Sequence, residues 1–195
     1  MEREVWPELV ELGFELHSPH AAWRHWAGGV DALHVVWESG DAFRLVAGCH
    51  FHAVPLARAP RTREGRLAPT LEELHVTRAY APGPARADGG DRELWRVGGD
   101  VGALVGDLRG RARRAARSLE VLHDPARALQ ELARRTRWHP RPSTPGWLEV
   151  TGYLAVSAGA YDVARPRLQR LIRELEPGEA KRAQRVRSAL ALLPL

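Results

Sequence analysis

The sequence predicts an α+β fold, in which a four- or five-stranded antiparallel meander follows one helix and precedes several others. Three observations predict it. Up to about residue 98, short stretches of apolar residues alternate with polar ones and are separated by turn residues. From residue 100 onward, the apolar residues recur with the period of a helix. The chain has 195 residues, 44% of them apolar, which is enough to bury a core.

The first predicted element is a helix over 2–12. Its apolar residues fall on one broad side, while Glu4, Glu8 and Glu11 lie on the other. Gly13 then ends the helix, because glycine is the residue most often found just past a helix end. The apolar side consists of Val5, Trp6, Leu9, Val10 and Leu12.

Five stretches with strand-like alternation follow, and glycine-containing turns separate the first three. They cover 23–26, 30–38, 42–54, 74–80 and, as a short edge strand, 94–97. Because strands joined by short turns pair in antiparallel fashion, we predict a meander with one face in solvent. Residues 57–69 lack any period and are predicted to form an arginine-rich loop.

The rest of the chain is predicted to be helical. An apolar stripe runs over 101–119, and Asp124 with Pro125 supplies the N-cap and first turn of a second helix that reaches about residue 136. A proline-rich linker is then predicted at 139–146. The predicted domains are therefore an α+β domain over 1–138 and a helical subdomain over 147–195.

The helical subdomain contains three predicted helices, at 147–158, 161–175 and 178–193. Gly159 lies between the first two. Pro166 lies inside the second predicted helix, so that helix either begins at the proline or bends there.

Charge is distributed unevenly along the chain. The formal net charge is +5, but residues 1–98 carry 11 basic and 14 acidic side chains, whereas residues 99–195 carry 18 and 10. Nearly all the basic residues are arginine, which indicates a biased genomic composition and weakens any inference from charge to a nucleic-acid partner. The acidic start and the lack of a long apolar stretch predict a cytoplasmic protein that makes no membrane contact.

The segment Cys49-His50-Phe51-His52 raises the question of a metal site. On a strand, Cys49 and Phe51 face the core while His50 and His52 point to the opposite face. Three neutral imidazoles with an open position can hold zinc, so one alternative is a metal-dependent enzyme on His34, His50, His52 and His75. We favour a surface without metal or cofactor that binds a partner. It consists of His34, Arg44, His50, His52 and His75.

The predicted helix over 101–119 carries five arginines on half of its circumference. Arg109, Arg113 and Arg117 can contact phosphates, which gives a second alternative, a nucleic-acid-binding protein. However, no helix-turn-helix, zinc-finger or RRM pattern is present, and no aromatic residues alternate with these arginines. A solvated helix face is therefore favoured, followed by an acidic protein partner and then by nucleic acid.

Catalytic motifs are absent from the sequence. It contains no G-x-S-x-G, no G-x-x-x-x-G-K-[ST] and no G-x-G-x-x-G between a strand and a helix, so hydrolase, P-loop and Rossmann functions lack their required residues. We therefore predict that the protein is not an enzyme.

Parts of the sequence resemble a known family. The stretches are ELVELGFELHSPHAAWRHWAGGVDALHVVWESGDAFRLVAGCHF, LEELHVTRAY and DVGALVGDLRGRARRAARSLEVLHDPARALQELA. Over about 5–136 they resemble the bacterial domain-of-unknown-function family 4304. This resemblance implies a small antiparallel sheet backed by helices, with no catalytic motif to carry over. Such families are similar in size to immunity proteins of bacterial toxin systems, which act by binding.

The C-terminal segment WLEVTGYLAVSAGAYDVARPRLQRLIRELEPGE resembles one tetratricopeptide-type helical hairpin. A repeat array requires at least three such units, so we predict a helical pair that docks on the main domain. Taken together, the sequence predicts a non-catalytic protein-binding module, immunity-like or accessory, that uses the sheet face and the loop 57–69.

Overall fold

A computed structural model describes residues 6–55, 62–63, 65–80, 94–98, 100–134, 138–140, 144–175 and 178–194. It has the α+β fold that the sequence predicts, with an antiparallel sheet, a helix before it and several helices after it. The first helix is α1, Trp6–Glu11, and the earlier part of the predicted helix lies outside the described residues. Gly13 ends this region with a φ of 82°, a left-handed conformation that glycine adopts without strain.

Nine strands are found among the described residues, and seven of them form one sheet. Its order is β1-β2-β3-β4-β7-β9, with β8 also paired to β4. Every pairing in it is antiparallel, as predicted. The bounds are β1 Glu15–Ser18, β2 Ala21–Trp26, β3 Gly29–Ser39, β4 Ala42–Phe51, β7 Val76–Tyr80, β8 Trp95–Arg96 and β9 His139–Pro140; β5 Thr62–Arg63 and β6 Arg66–Leu67 form a separate hairpin.

The sequence does not predict four of the short strands, β1, β5, β6 and β9. β1 has four residues between a glycine and a proline, which is too short for a visible alternation. β5 and β6 lie within 57–69, so the described part of the predicted loop includes a small hairpin. Both outer strands are short, and the register of β1 shifts between Leu16 and Ser18, features that limit pairing with another chain.

The linker predicted at 139–146 requires a correction in its described residues. His139 and Pro140 pair with Thr77 and Val76 and so extend the sheet, and the next helix already begins at Thr144. A two-residue strand that contains proline has no alternation to detect, and proline is tolerated there because β9 is an outer strand. The division into 1–138 and 147–195 stays a prediction.

Five further helices have bounds close to those predicted: α2 Val101–Glu120, α3 Pro125–Ala133, α4 Thr144–Ser157, α5 Tyr161–Leu175 and α6 Ala180–Ala191. Asp100 caps α2 by accepting a hydrogen bond from the amide of Ala103, and Asp124 caps α3 through the amide of Arg127. Of the two predicted outcomes for α5, a start at the proline is wrong, because Pro166 lies inside the helix.

Helices α4 and α5 form the predicted hairpin. The turn contains Gly159, whose φ is 71°. The two helices approach closely at Gly152, where an added methyl carbon would come within 2.5 Å of Leu168 Cδ2. Helix α6 is fixed to α4 by the Arg182 guanidinium, whose Nε donates to the Glu149 carboxylate at 3.1 Å. No helix in the described part of the chain is long and apolar enough to cross a membrane.

The core has two unequal parts. The larger one lies between the sheet and α2 and continues into α4, α5 and α6. It includes Leu33, Leu45, Cys49, Leu119 and Leu154. The smaller part lies on the other face of the sheet and consists of Trp23, Val30, Ala32, Ala68 and Leu74. We call the side of the larger part the helix-covered face and the side of the smaller part, which carries several histidines, the histidine face.

Candidate functional site

Among the residues whose side chains the structure describes, six histidines lie on the histidine face. Strand alternation places three of them, His25, His34 and His50, on the side of Trp23 and Ala32. Ring contacts place the other three there, His17 against Trp23, and His52 and His75 against His50. The six are His17, His25, His34, His50, His52 and His75. The sequence predicts that five residues of this face are open to solvent. They are His34, Arg44, His50, His52 and His75.

The prediction that this face is open to solvent is wrong over much of its area. Residues 65–75, which we call the cover segment, lie across it. Leu67, Leu71 and Leu74 pack with Trp23, Val30 and Ala32. The cover approaches the sheet most closely at Gly48, where an added methyl carbon would come within 2.5 Å of Leu74 Cδ1. Sequence periodicity did not reveal this contact, because the cover has no regular pattern of its own.

The cover segment is shaped by a single 3-10 turn, Leu71–Glu73. Glu73 Oε2 accepts hydrogen bonds from the amide of Thr70 at 2.8 Å and from its hydroxyl at 3.0 Å. This capping box holds the turn without help from the sheet. The only charged link that we find between the described cover and β1 is the exposed ion pair of Arg66 with Glu15, at 2.6 Å.

His50 and His75 form a buried pair under the end of the cover. Their rings stack with centroids 4.5 Å apart, and they are only 3% and 8% exposed. His75 Nδ1 accepts a hydrogen bond from the Phe51 amide at 2.9 Å. His50 Nδ1 lies 3.4 Å from the Glu73 carbonyl oxygen, to which it donates, because a carbonyl only accepts. Burial lowers the pKa of His50 below the usual value for histidine.

His52 and His25 lie near this pair but closer to solvent. The ring of His52 is 6.0 Å from that of His50, and His52 itself is exposed. Burial lowers the pKa of His25, with opposing effects from Glu15 and Arg66. The structure thus brings His50, His52 and His75 together as predicted, although two of the three are buried instead of exposed.

His34 and Arg44 lie apart from that group. His34 pairs with Val46 in the register of β3 and β4, four residues from His50, or about 13 Å along the strand. Burial lowers the pKa of His34 to about 4, with a further contribution from His17. Arg44 is half-exposed and forms an ion pair with Glu38 at 2.8 Å.

The metal alternative on His34, His50, His52 and His75 is therefore not supported by their positions. Among the described residues, no group of three or more histidine, cysteine, aspartate or glutamate side chains is placed to hold a metal ion. His34 is too far from the other three rings to share a metal ion with them, because its partner Val46 lies four residues before His50 along β4.

A buried polar cluster on the helix-covered face was missed by the sequence analysis. Asp31 is fully buried, and its Oδ2 accepts hydrogen bonds from Arg24 Nε at 3.0 Å and Nη2 at 2.8 Å, and lies 2.8 Å from His123 Nε2. Arg24 also donates to the carbonyl oxygens of Leu12 and Ala116. The alternation that predicts Leu33 to face inward also points Asp31 inward, and that was the available signal.

Cys49 lies next to this cluster and is confirmed as a core residue. It pairs with Asp31 across β3 and β4 and is fully buried. Burial raises the pKa of its thiol well above the usual value, and the neighbouring Asp31 carboxylate raises it further. A thiol in this state is a poor nucleophile and a poor metal ligand. The predicted separation of Cys49 from His50 and His52 is therefore observed.

Two arginines of α2 form ion pairs with a glutamate of α1. Glu8 forms ion pairs with Arg113 at 2.7 Å and with Arg109 at 3.8 Å. Arg117, the third residue of the alternative nucleic-acid surface, is exposed. Because one glutamate lies against two of the three arginines, the basic surface carries less positive charge than the helix alone suggests.

An exposed apolar corner is found where β3 and β4 meet, at the end of the sheet. Trp37, Phe43 and Trp95 form an aromatic row across β3, β4 and β8, with ring centroids 5.1 and 5.7 Å apart. Phe43 and Trp95 are buried, but Trp37 is 41% exposed. Val97, which donates to the Asp41 carbonyl, and Val101 at the start of α2 are more than half exposed. We call Trp37 and Val97 the Trp37 corner.

Comparisons with protein-family models, with curated proteins and with solved structures give no match to this chain. The resemblance to family 4304 and to a tetratricopeptide-type hairpin therefore stays a prediction.

Proposed function

We propose that the protein binds a protein partner through the Trp37 corner and has no catalytic activity of its own. The observation that carries this proposal is the 41% exposure of Trp37 at the end of an otherwise buried aromatic row. Tryptophan is enriched among the residues that dominate binding energy at protein interfaces, where one rigid anchor fills a pocket of the partner. A large aromatic side chain held in place by its neighbours loses little entropy when it is bound.

Two features of the corner support a protein as its partner. Val97 is exposed and its amide is bonded to Asp41 in the turn between β3 and β4, so it adds to the apolar surface, and exposed apolar patches rimmed by polar residues mark interaction sites. The exposed ion pair of Asp41 with Arg96 contributes to the polar rim. The predicted residue Arg44 points to the other face of the sheet, because its pair with Val36 adjoins the pair of Trp37 with Phe43, and His50 and His75 are buried elsewhere.

The absence of catalysis is proposed because the reactive groups of the described residues serve the fold. The Cys49 thiol is buried with a raised pKa, and Asp31 is engaged by Arg24 and His123. An immunity-like or accessory role, as the resemblance implies, is one form that such binding takes. The nucleic-acid alternative has weaker support, because Glu8 lies against Arg109 and Arg113.

The proposal is tested by affinity capture from a lysate of the source cells with wild type, Trp37→Ala and a matched control, Tyr161→Ala. Tyr161 is an aromatic residue of similar exposure, 37%, on α5. We expect a protein that is retained by wild type and by Tyr161→Ala but lost with Trp37→Ala. Circular dichroism establishes that both variants are folded. If Trp37→Ala and Tyr161→Ala retain the same proteins as wild type, the Trp37 corner is not the binding surface.

The nucleic-acid alternative is separated by a gel-shift titration at several salt concentrations. Charge reversal in Arg113→Glu abolishes a complex that depends on phosphate contacts, and it leaves binding at the Trp37 corner unchanged. Nucleic acid bound by wild type and lost in Arg113→Glu would favour the alternative over the proposal.

A further inference from the structure

We propose that the cover segment is an acid-sensitive lid, which leaves the histidine face when His50 and His75 become protonated. This inference is independent of the Trp37 corner and concerns the opposite face of the sheet. It depends on the hydrogen bonds, the burial and the spacing of the two stacked imidazoles.

The hydrogen bond of His75 requires a neutral ring. The Phe51 amide has only a proton to give, so His75 Nδ1 must offer a lone pair at the observed distance of 2.9 Å. Protonation at Nδ1 removes this acceptor and leaves two donors facing each other. His75 directly follows the last residue of the cover core, Leu74, and its own amide donates to the Cys49 carbonyl at 2.9 Å. Loss of the side-chain bond therefore loosens the end of the cover, while the backbone bond keeps the start of β7 on β4.

The stacking of His50 on His75 opposes a charge on both rings. Their centroids are 4.5 Å apart in a site that is nearly closed to solvent, so two imidazolium groups there repel each other strongly. His50 keeps one favourable contact with the Glu73 carbonyl, but its burial favours the neutral form. A proton is therefore accommodated more easily once the rings separate and reach water.

Two described carboxylates lie near the pair, and they offset this repulsion only in part. The charge of Glu73 favours a protonated His50, but burial of the ring outweighs it, and the same carboxylate caps its own turn through Thr70. Glu15 is paired with Arg66 at the surface. The other described imidazoles on this face supply no negative charge. They are His17, His25, His34 and His52.

Among the described residues, the cover contacts the sheet mainly through apolar side chains. They are Leu67, Ala68, Leu71 and Leu74, with Pro69 also buried, and the turn is stabilised internally by the capping box. A segment of this kind is able to detach as a unit while the rest of the sheet stays folded. Detachment exposes Trp23, Val30 and Ala32, an apolar strip that is closed at neutral pH.

The lid is tested by hydrogen exchange measured with mass spectrometry at about pH 7.5 and about pH 5, corrected for intrinsic exchange rates. In wild type, we expect the protection of peptides over 67–76 to fall by about tenfold or more at the lower pH, while peptides of β3 and β4 stay protected. The informative variant is His50→Asn/His75→Asn. In this variant the amide oxygen introduced at position 75 accepts from the Phe51 amide in place of Nδ1, and neither introduced side chain titrates in this range.

The outcomes distinguish a lid from general acid unfolding. His50→Asn/His75→Asn should keep its protection at about pH 5, whereas the control His20→Asn, at an exposed histidine outside this face, should lose it as wild type does. Unchanged protection of 67–76 in wild type overturns the proposal, as does equal loss from the double variant. If the double variant does not fold, the protection of 67–76 in wild type is compared with that in the single variant His75→Asn, and equal loss at about pH 5 in both again overturns the proposal.

Discussion

The two faces of the sheet are buried by different means. The helix-covered face lies under α2 and is continuous with the C-terminal helices, and it contains a charged cluster at its centre. The histidine face lies under a cover segment of eleven residues, 65–75, and its polar side chains include several imidazoles. A buried carboxylate bound by a guanidinium and an imidazole requires a rigid surrounding structure, whereas imidazoles, which can be buried without a charge, are compatible with a cover that opens.

The difference indicates which face determines stability and which face can change. Arg24 connects the end of α1, α2 and the sheet through Leu12, Ala116 and Asp31, so the helix-covered face cannot open without breaking several hydrogen bonds at once. On the histidine face, the cover contacts the sheet through a few leucines and the His50–His75 pair. Substitutions on the two faces should therefore differ in their effect on the stability of the protein.

The largest effect is expected from removing the Asp31 carboxylate. Asp31→Ala removes the buried acceptor that Arg24 and His123 share, which should lower the free energy of unfolding by about 4 kcal/mol. Urea denaturation measures this loss. The control is Asp41→Ala, whose ion pair with Arg96 is exposed and should contribute less than about 1 kcal/mol. Equal effects of the two substitutions would show that the Asp31 cluster does not organise the helix-covered face.

A smaller loss of stability is expected when a buried leucine of α2 is truncated, and a still smaller loss when a leucine of the cover is truncated. Leu119 and Leu74 are both nearly inaccessible to solvent. Leu119→Ala creates a cavity that cannot close and should lower the free energy of unfolding by about 3 kcal/mol. Leu74→Ala should lower it by only about 1 kcal/mol, because the cover detaches locally instead of tolerating the cavity.

These two variants are compared by denaturation together with hydrogen exchange. Leu74→Ala should increase exchange selectively over 67–76, whereas Leu119→Ala should increase it throughout the sheet and α2. A loss of stability in Leu74→Ala as large as that in Leu119→Ala would contradict the distinction between the two faces, because the cover would then unfold only with the whole protein.

The sequence predicts those features of this arrangement that depend on residues close together in the chain. Alternation in β4 correctly separates Cys49 from His50 and His52, because the period of a strand is a local property. The helices after residue 100 are predicted closely for the same reason, as the caps at Asp100 and Asp124 act within one turn. Local rules thus account for the elements and for the direction of their side chains.

The rest depends on contacts between distant parts of the chain. Alternation places His50 and His75 on a polar face, but it does not reveal that Leu71 and Leu74 cover that face. The exposure of Trp37 is missed in the same way, since its alternation matches that of buried residues and only the end of the sheet leaves it open. Asp31 is an exception, because a carboxylate at an inward position already predicts a buried polar partner.

The third effect concerns His34 and the pH dependence of stability. Its pKa is about 4 in the folded protein and about 6.5 when it is unfolded, because burial disfavours the charged ring. Above pH 6.5 both states are neutral and the full stability is present. As the pH falls from there toward 4, the unfolded state takes up the proton first, so stability is lost, by about 2 kcal/mol at pH 5.

This dependence is measured by urea denaturation at a series of pH values with wild type and with His34→Leu. The substitution removes the titrating group at a buried position and should flatten the decrease below pH 6.5. His52→Leu is the matched control, because His52 is exposed on the same face and should leave the decrease nearly unchanged. If His34→Leu and wild type lose stability in parallel, His34 is not buried as the fold requires, and acid acts on this face through the His50–His75 pair alone.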